Sequence, residues 1–598
     1  MSRILRPKYL VAAGVAALLG ASVMSTGCSS DRASFVESSS SFSSSDAAAD
    51  APSCGRVCSL DHRSVLDTCT GAVLEACEAD RACGAGNCQE PCGAAAADSS
   101  SNGCDFYLQP PALRLAQACF AAYVVNTSTL PVDLTLSLGA DKIDVSNAVY
   151  HADPNDPKAL IRHEGPVLPG DTVIVYLSDQ DRTKAAKAGE GDAPCPTGVT
   201  PATFIEPVPS GTGRGKSFHL TTNAPVGLTS IYPAAGAGSQ VTTATLLLPV
   251  PLWGKENMIV NAWGVVTDAL HNIGNGPTAQ IVASKDDTQV TLYPKRAIQG
   301  GADVAGTAQG IPVTYQLNRG EVVQFDQSEE FTGSVVVSNN PISIFGGHEC
   351  ALIPSDVWAC DYAQQQLPAL AQWGSEYAAV GYRSRSGDNA SELMPYRVVA
   401  AREGTKLDYD PPQPPAGAPL ELAAGEIATF YAQVGDAFVV RTQDADHPIY
   451  VAAYMTGSAS NRFSEGDPEF VNVIPAQQYQ NAYSFYADPT YADTSLAIIR
   501  RKTDGEFKDV SLDCAGILSD WKPIGVRGEY EWRRVELARR LGKGDSFGDA
   551  TCGLGLHQMK SDGEFTATVW GWDYYVSYAY PGGTALRNVT TGSFAPVH

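Results

Sequence analysis

Positive charge is scarce in this chain: 41 Lys and Arg stand against 65 Asp and Glu, for a formal net charge of −24. An acidic surface of that size repels phosphate backbones and anionic bilayers, which excludes nucleic acid as an expected partner. Long apolar runs are missing after the first 27 residues, so no later segment reads as a transmembrane helix. Helix signals are few. Val535 to Leu541 offers two turns, and Asp361 to Trp373 a short helix that Pro368 interrupts. Signatures of catalysis are thin as well. His348 has no second histidine four residues away, which the helical zinc-hydrolase spacing requires. The glycine-rich string Gly211 to Ser217 has Ser210 where a phosphate loop begins with glycine. Phe218-His219-Leu220 then continues as a strand, where a phosphate cradle opens a helix. A surface hairpin loop is the reading there.

The N-terminus gives an address. Arg3, Arg6 and Lys8 precede an apolar run, Tyr9 to Val23, too short to span a bilayer comfortably. The string Met24-Ser25-Thr26-Gly27-Cys28 resembles a bacterial lipobox, with Ser25 where such boxes usually carry Leu. That resemblance implies lipidation of Cys28, a signal peptide over 1–27, and a Ser-rich tether over 28–53 too polar to fold. Ser29 follows the cysteine where an inner-membrane retention signal places Asp, so the outer membrane is the expected destination, at the cell surface or its periplasmic face. Removal of the leader takes away three positive charges and leaves a formal net charge of −27.

Setting Cys28 aside leaves fourteen of the fifteen cysteines, an even number in an exported chain. Eight fall between Cys54 and Cys104, a segment poor in aliphatic residues that reads as a disulfide-held knob. Zinc is the rival reading of those spacings, but His62 is the only imidazole nearby. Neighbour pairing of the others gives Cys119–Cys195, Cys350–Cys360 and Cys514–Cys552, of which only the second is constrained by a short loop.

From residue 105 onward the chain repeats a strand-rich unit, over about 105–263, 279–383, 396–486 and 496–598. In each, a Gly-Asp or Gly-Glu step (Gly170-Asp171, Gly320-Glu321, Gly425-Glu426, Gly528-Glu529) opens a strand. A tight corner follows, as in Thr222 to Pro225 and Ser338 to Pro341, then a further strand. After three of the corners come a proline and an aromatic residue: Pro249 and Trp253, Pro368 and Trp373, Pro475 and Tyr479. Alternation of period two marks half-buried strands. The expected fold is all-β, with tandem β-sandwich-like repeats as the first reading and a propeller-like ring as the alternative.

Two groups of residues stand out as candidate sites. Trp570, Trp572 and Tyr574 share one face of an alternating strand: buried, they form core; exposed, an aromatic strip for glycan or protein contact. His348, Glu349 and Asp361 flank a predicted disulfide loop, with His348 either structural or at an interface; a hydrolase would use all three. Acidic loops such as Asp286-Asp287 and Asp444 to Asp446 lack the regular oxygen spacing of a calcium loop, so no cofactor or metal is expected.

Several strings together resemble the IgGFc-binding protein N-terminal domain family, known from animal mucus proteins and bacterial surface lipoproteins. They are Ser338 to Cys350, Cys360-Asp361-Tyr362, Gln366 to Pro368, Trp373 to Tyr377, and the closing Gly571-Trp572 with Val576 to Gly583. The resemblance implies an extracellular binding domain with no catalytic residues to carry over. The expected protein is a non-enzymatic, lipid-anchored surface protein for adhesion or recognition of an extracellular protein or glycan. The alternatives are a secreted hydrolase and a self-associating surface-layer component.

Overall fold

The computed structural model describes residues 54–598, apart from 113–116, 154–155, 182–192, 265–275, 358, 388–390, 461–463, 541 and 595–598. The signal peptide, the tether and Cys28 lie outside the described residues.

Gly170, Gly320, Gly425 and Gly528 all have φ between 65° and 80°, a left-handed turn that a side chain would strain. Each releases a strand: Thr172–Ser178, Glu321–Asp326, Ile427–Gln433 and Tyr530–Arg539. Each such strand pairs antiparallel with a central strand, namely Phe120–Asn126, Pro277–Ala283, Leu393–Ala400 or Asp493–Arg501. The central strands are buried along nearly their whole length, as β-branched and small residues such as Val124, Ile281, Val398 and Ile498 allow.

On its other side each central strand pairs with the strand that leaves the corner: Phe218–Tyr232, Val335–Ala351, Ile449–Met455 or Gly555–Asp573. Hydroxyls hold three corners by the same bond, from Thr222 to the Ala224 carbonyl, Ser338 to Asn340 and Thr442 to Asp444. Before the corner the chain belongs to a second sheet, paired with Leu134–Leu138, Thr288–Tyr293, Thr405–Asp410 or Val510–Leu512. In the third module the longer corner, 443–448, splits this strand in two, leaving Phe438–Thr442 in a sheet of its own. Two sheets joined at a bend make each module a small sandwich.

The modules also close on one another. The innermost strands, Thr243–Leu246, Asp361–Leu367, Glu469–Asn472 and Val576–Pro581, pack in cyclic order, the fourth against the first. Each hydrophobic cluster lies between consecutive modules. Val124 and Leu228 pack with Val322 and Phe345; Ile281 and Ile344 with Tyr450 and Phe470; Val398 and Val451 with Trp570 and Trp572. The last cluster returns Ile498 and Val569 to Ala121 and Tyr123. Sandwich-like modules thus form a propeller-like ring, and the two readings of the sequence describe one architecture.

After the first three inner strands a short 3₁₀ turn follows, at Val250–Leu252, Leu370–Gln372 and Ala476–Gln478. The next strand crosses into the following module's second sheet: Gly254–Met258, Glu376–Ala379 and Gln480–Ala487. The first module receives its equivalent from Gly103–Leu108. The chain's end meets this beginning. The Ser101 amide donates to the Thr584 carbonyl at 2.8 Å, and the Thr584 amide to the Ser101 hydroxyl at 3.0 Å.

Three local expectations are corrected. Val535–Arg539 is strand, because Trp532, Val535 and Leu537 all have a core to enter. Asp361–Leu367 is the second inner strand, with only Leu370–Gln372 helical beyond it. Gly213–Lys216 is no loop but an edge strand on Glu321–Gln324. Among the described residues the one α-helix is Pro91–Ala97, in the knob. There four disulfides, Cys54–Cys69, Cys58–Cys83, Cys77–Cys88 and Cys92–Cys104, staple a three-stranded sheet and a hairpin.

Candidate binding face at the inner hairpins

Each inner strand is reached through a hairpin, and the hairpins of the second, third and fourth modules touch. The Gly457 amide donates to the Ile353 carbonyl at 2.8 Å, Gly466 to Asp573 at 2.8 Å, and Tyr575 to Ser464 at 3.1 Å. Disulfide Cys350–Cys360 closes the second hairpin; Cys119–Cys195 and Cys514–Cys552 tie loops of the first and fourth modules.

The fourth hairpin turns at Tyr574-Tyr575. Tyr574 is 56% exposed, and its ring meets Tyr575 edge to face with centroids 4.3 Å apart. Tyr575 has φ 53°, a left-handed conformation rare for a bulky side chain. Glu465, paired with Arg540 at 3.3 Å, lies across from Tyr574 in an isolated bridge. Beneath the turn Arg383 bonds Asp493 and Glu536 and stands 5.2 Å over the Trp572 ring. Arg385 is fully buried against Glu392 at 2.7 Å.

Trp570 and Trp572 do not share this exposure, which corrects the binding strip to one residue. Both are buried between the third and fourth modules, 5.1 and 6.0 Å from the Tyr382 ring. Tyr574 escapes because the strand ends at Asp573, which places it in the turn.

His348 is likewise withdrawn from the surface. Its Nδ1 accepts the Cys350 amide at 3.0 Å, which fixes the proton on Nε2, facing the Gly264 carbonyl at 3.2 Å. Burial pushes its pKa down to about 3. Both nitrogens are engaged, so His348 is a structural histidine. Glu349, next along the strand, points the other way and meets Asp326, whose carboxyl burial pushes up to about 6. Asp361 faces Asp467 and Glu469 instead. The three residues of the hydrolase alternative are therefore not gathered into one site.

One hydrolase-like string is Gly544-Asp545-Ser546-Phe547-Gly548, which has nucleophile-elbow spacing but needs a strand-to-helix turn. Here Ser546 opens a two-stranded hairpin, its hydroxyl 3.1 Å from that of Thr551. Three clusters have metal-like ligand spacing among the described residues: Cys54/Asp67/Cys69, Cys58/His62/Asp98 and Asp513/Cys514/His557. The cysteines in each are held in disulfides and offer no thiolate.

Sequence inspection passed over Asp467 and Glu469, because Gly466-Asp467-Pro468-Glu469 has the composition of a solvated turn. Both are buried. Glu469 accepts the Thr243 hydroxyl at 3.0 Å and the amides of Ala244, Phe470 and Ala579 at 3.1, 2.9 and 3.4 Å. It thereby links the inner strands of the first, third and fourth modules. Burial pushes its carboxyl upward against those donors.

Residues 243–571, from the first inner strand to the last long one, match the family described as IgGFc binding protein. The chain belongs to that family. The human IgGFc-binding protein is 23% identical over 327 residues, which cover 54% of this chain and 6% of that relative. No solved structure matches the chain. Placed on the fold, the family segment holds the second module apart from its edge strand Gly213–Lys216, the third module whole, the first inner strand, and the fourth module up to Gly571. Tyr574 and the knob fall outside it.

Proposed function

We propose that this IgGFc-binding family member is a non-enzymatic recognition protein that binds an extracellular protein through its inner-hairpin face. The observation that carries the reading is the Tyr574-Tyr575 turn. The Tyr574 side chain is held out to solvent beside Tyr575, whose backbone takes a rare conformation and whose amide is anchored by the neighbouring hairpin. Exposed aromatics on rigid supports supply much of the energy of protein interfaces. The family name supports binding as the activity. Lipidation at Cys28, with the tether and the acidic ring facing outward from the outer membrane, completes the proposal. An anchor of several acyl chains gives durable attachment, at ~0.8 kcal/mol per buried CH₂.

The test is to probe the full chain and Tyr574→Ala on arrays of extracellular proteins, IgG Fc among them, and of glycans. Each ligand is recovered and checked for chemical change. The proposal requires a protein ligand retained intact and at least a tenfold loss of affinity in the variant. Capture of glycans alone, a cleaved ligand, or equal binding by Tyr574→Ala would contradict it. For the anchor, Cys28→Ser should move the protein from the membrane to the soluble fraction; retention in the membrane would refute lipidation.

A further inference from the structure

Buried acids of the ring are mostly answered by donors or cations. Glu469 has its four donors, and Asp493 and Glu536 share Arg383. Asp361 differs. It is 1% exposed, and neither carboxylate oxygen meets a donor among the described residues. More negative charge faces it instead: Asp467 lies against it, Glu469 is close, and Tyr491 is the other titratable group that senses it. Arg385 acts on Asp467, but its guanidinium is committed to Glu392, to the Thr456 carbonyl and hydroxyl, and to the Glu465 carbonyl. An ionised carboxylate buried against a second one, without counter-charge, is strongly unfavourable.

Asp361 and Asp467 lie within hydrogen-bonding reach of each other, and the polar groups beside them are mostly oxygens. Asp467 Oδ1 takes the Ser458 amide at 3.1 Å, and the Ser458 hydroxyl lies beside the same carboxylate. Gly457 borders the spot, where an added Cβ would meet the Val357 Cγ1 methyl first, at 3.3 Å. A Cβ there would stand 3.4 Å from the Ala359 carbonyl and 3.6 Å from Asp467 Oδ1. Two carboxylates with hydroxyl and carbonyl oxygens, and no imidazole or free thiol, form the ligand class of a hard cation. Calcium tolerates such irregular geometry, whereas magnesium demands an octahedron and keeps its waters.

We propose that Asp361 and Asp467 bind a calcium ion that fastens the second inner hairpin to the third. The ion would supply the missing counter-charge, and the Cys350–Cys360 disulfide would hold the second hairpin's side of the site in shape.

The test uses the full chain, its Asp361→Asn variant and its Asp467→Asn variant. Asn is isosteric and removes the repulsion, so both variants should fold even without metal. Bound metal is measured by elemental analysis, and the thermal midpoint is recorded with EDTA and with added calcium. The expected result is one equivalent of calcium in the parent chain, absent from both variants. At about 100 times Kd, calcium should raise the parent's folding constant roughly 100-fold over its value in EDTA and leave the variants unmoved. A parent chain without calcium, and with a midpoint indifferent to EDTA and calcium, would overturn the proposal: a shared proton would then join the two carboxyls. Equal calcium content in parent and variants would overturn it too.

Discussion

The knob and the ring are held by different forces. Between Cys54 and Cys104 the apolar core is Val65, Cys83, Pro91 and Ala94, while Val57, Leu60, Val73 and Leu74 face solvent. Four disulfides take the place of the missing core. In the ring three disulfides only tie loops, and the chain is held by four clusters, each shared by two modules. One region resists unfolding because its unfolded chain is short of freedom. The other resists it because it buries apolar surface that no single module could cover.

The largest effect should come from cutting the ring's core. Trp570→Ala or Trp572→Ala removes a side chain buried between the third and fourth modules. Either should destabilise the ring by about 3–5 kcal/mol. Urea unfolding should show the ring's midpoint falling while, with a thiol reductant and an alkylating agent present, the knob's disulfides resist reduction and alkylation. Equal loss in both regions would mean that they fold as one cooperative unit.

Next in size is the converse cut. Cys58→Ser with Cys83→Ser opens a loop of 25 residues, worth about 3–4 kcal/mol on the chain-entropy account. Limited proteolysis should then cleave within 54–104 while the ring melts at its usual temperature.

The contrast also explains what could be read in the sequence. Local chemistry was legible. The glycines before Asp171, Glu321, Glu426 and Glu529 announce turns that need positive φ, and alternation identifies the strands that follow. Non-local chemistry was not. Val535 to Leu541 has the composition of a helix, and Val535–Arg539 becomes strand only because Asp493–Arg501 lies beside it. Where the chain's two ends meet, Ser101 bonds Thr584, a contact across 483 residues that no window of sequence contains. Glu469 has the composition of a turn acid until four donors converge on it.

That last residue offers a smaller cut. Glu469→Gln turns an amide group toward the Ala244 and Ala579 N–H groups and should cost the ring about 1–3 kcal/mol. The knob should not respond. Differential scanning calorimetry that shows no change would remove Glu469 from the ring's closure.

Smallest over any single pH unit, and spread across several, is the contribution of His348. Its folded pKa, about 3, lies below the unfolded 6.5. Between those values the unfolded chain binds a proton that the folded ring excludes. Stability is therefore complete above about pH 6.5 and falls as the pH drops towards 3, by at most about 1.4 kcal/mol per unit. Urea midpoints over that window should fall less steeply in His348→Gln. The knob, which holds only His62, should be unaffected by that substitution.

The inner strands close a ring, with Gly103–Leu108 completing the first module. Hydrogen exchange by mass spectrometry, on peptides covering 103–108 and 576–585, tests it most directly. Closure predicts that both segments exchange as slowly as the central strand Pro277–Ala283. Rapid exchange in both, beside a protected 277–283, would contradict it and leave an open row of modules.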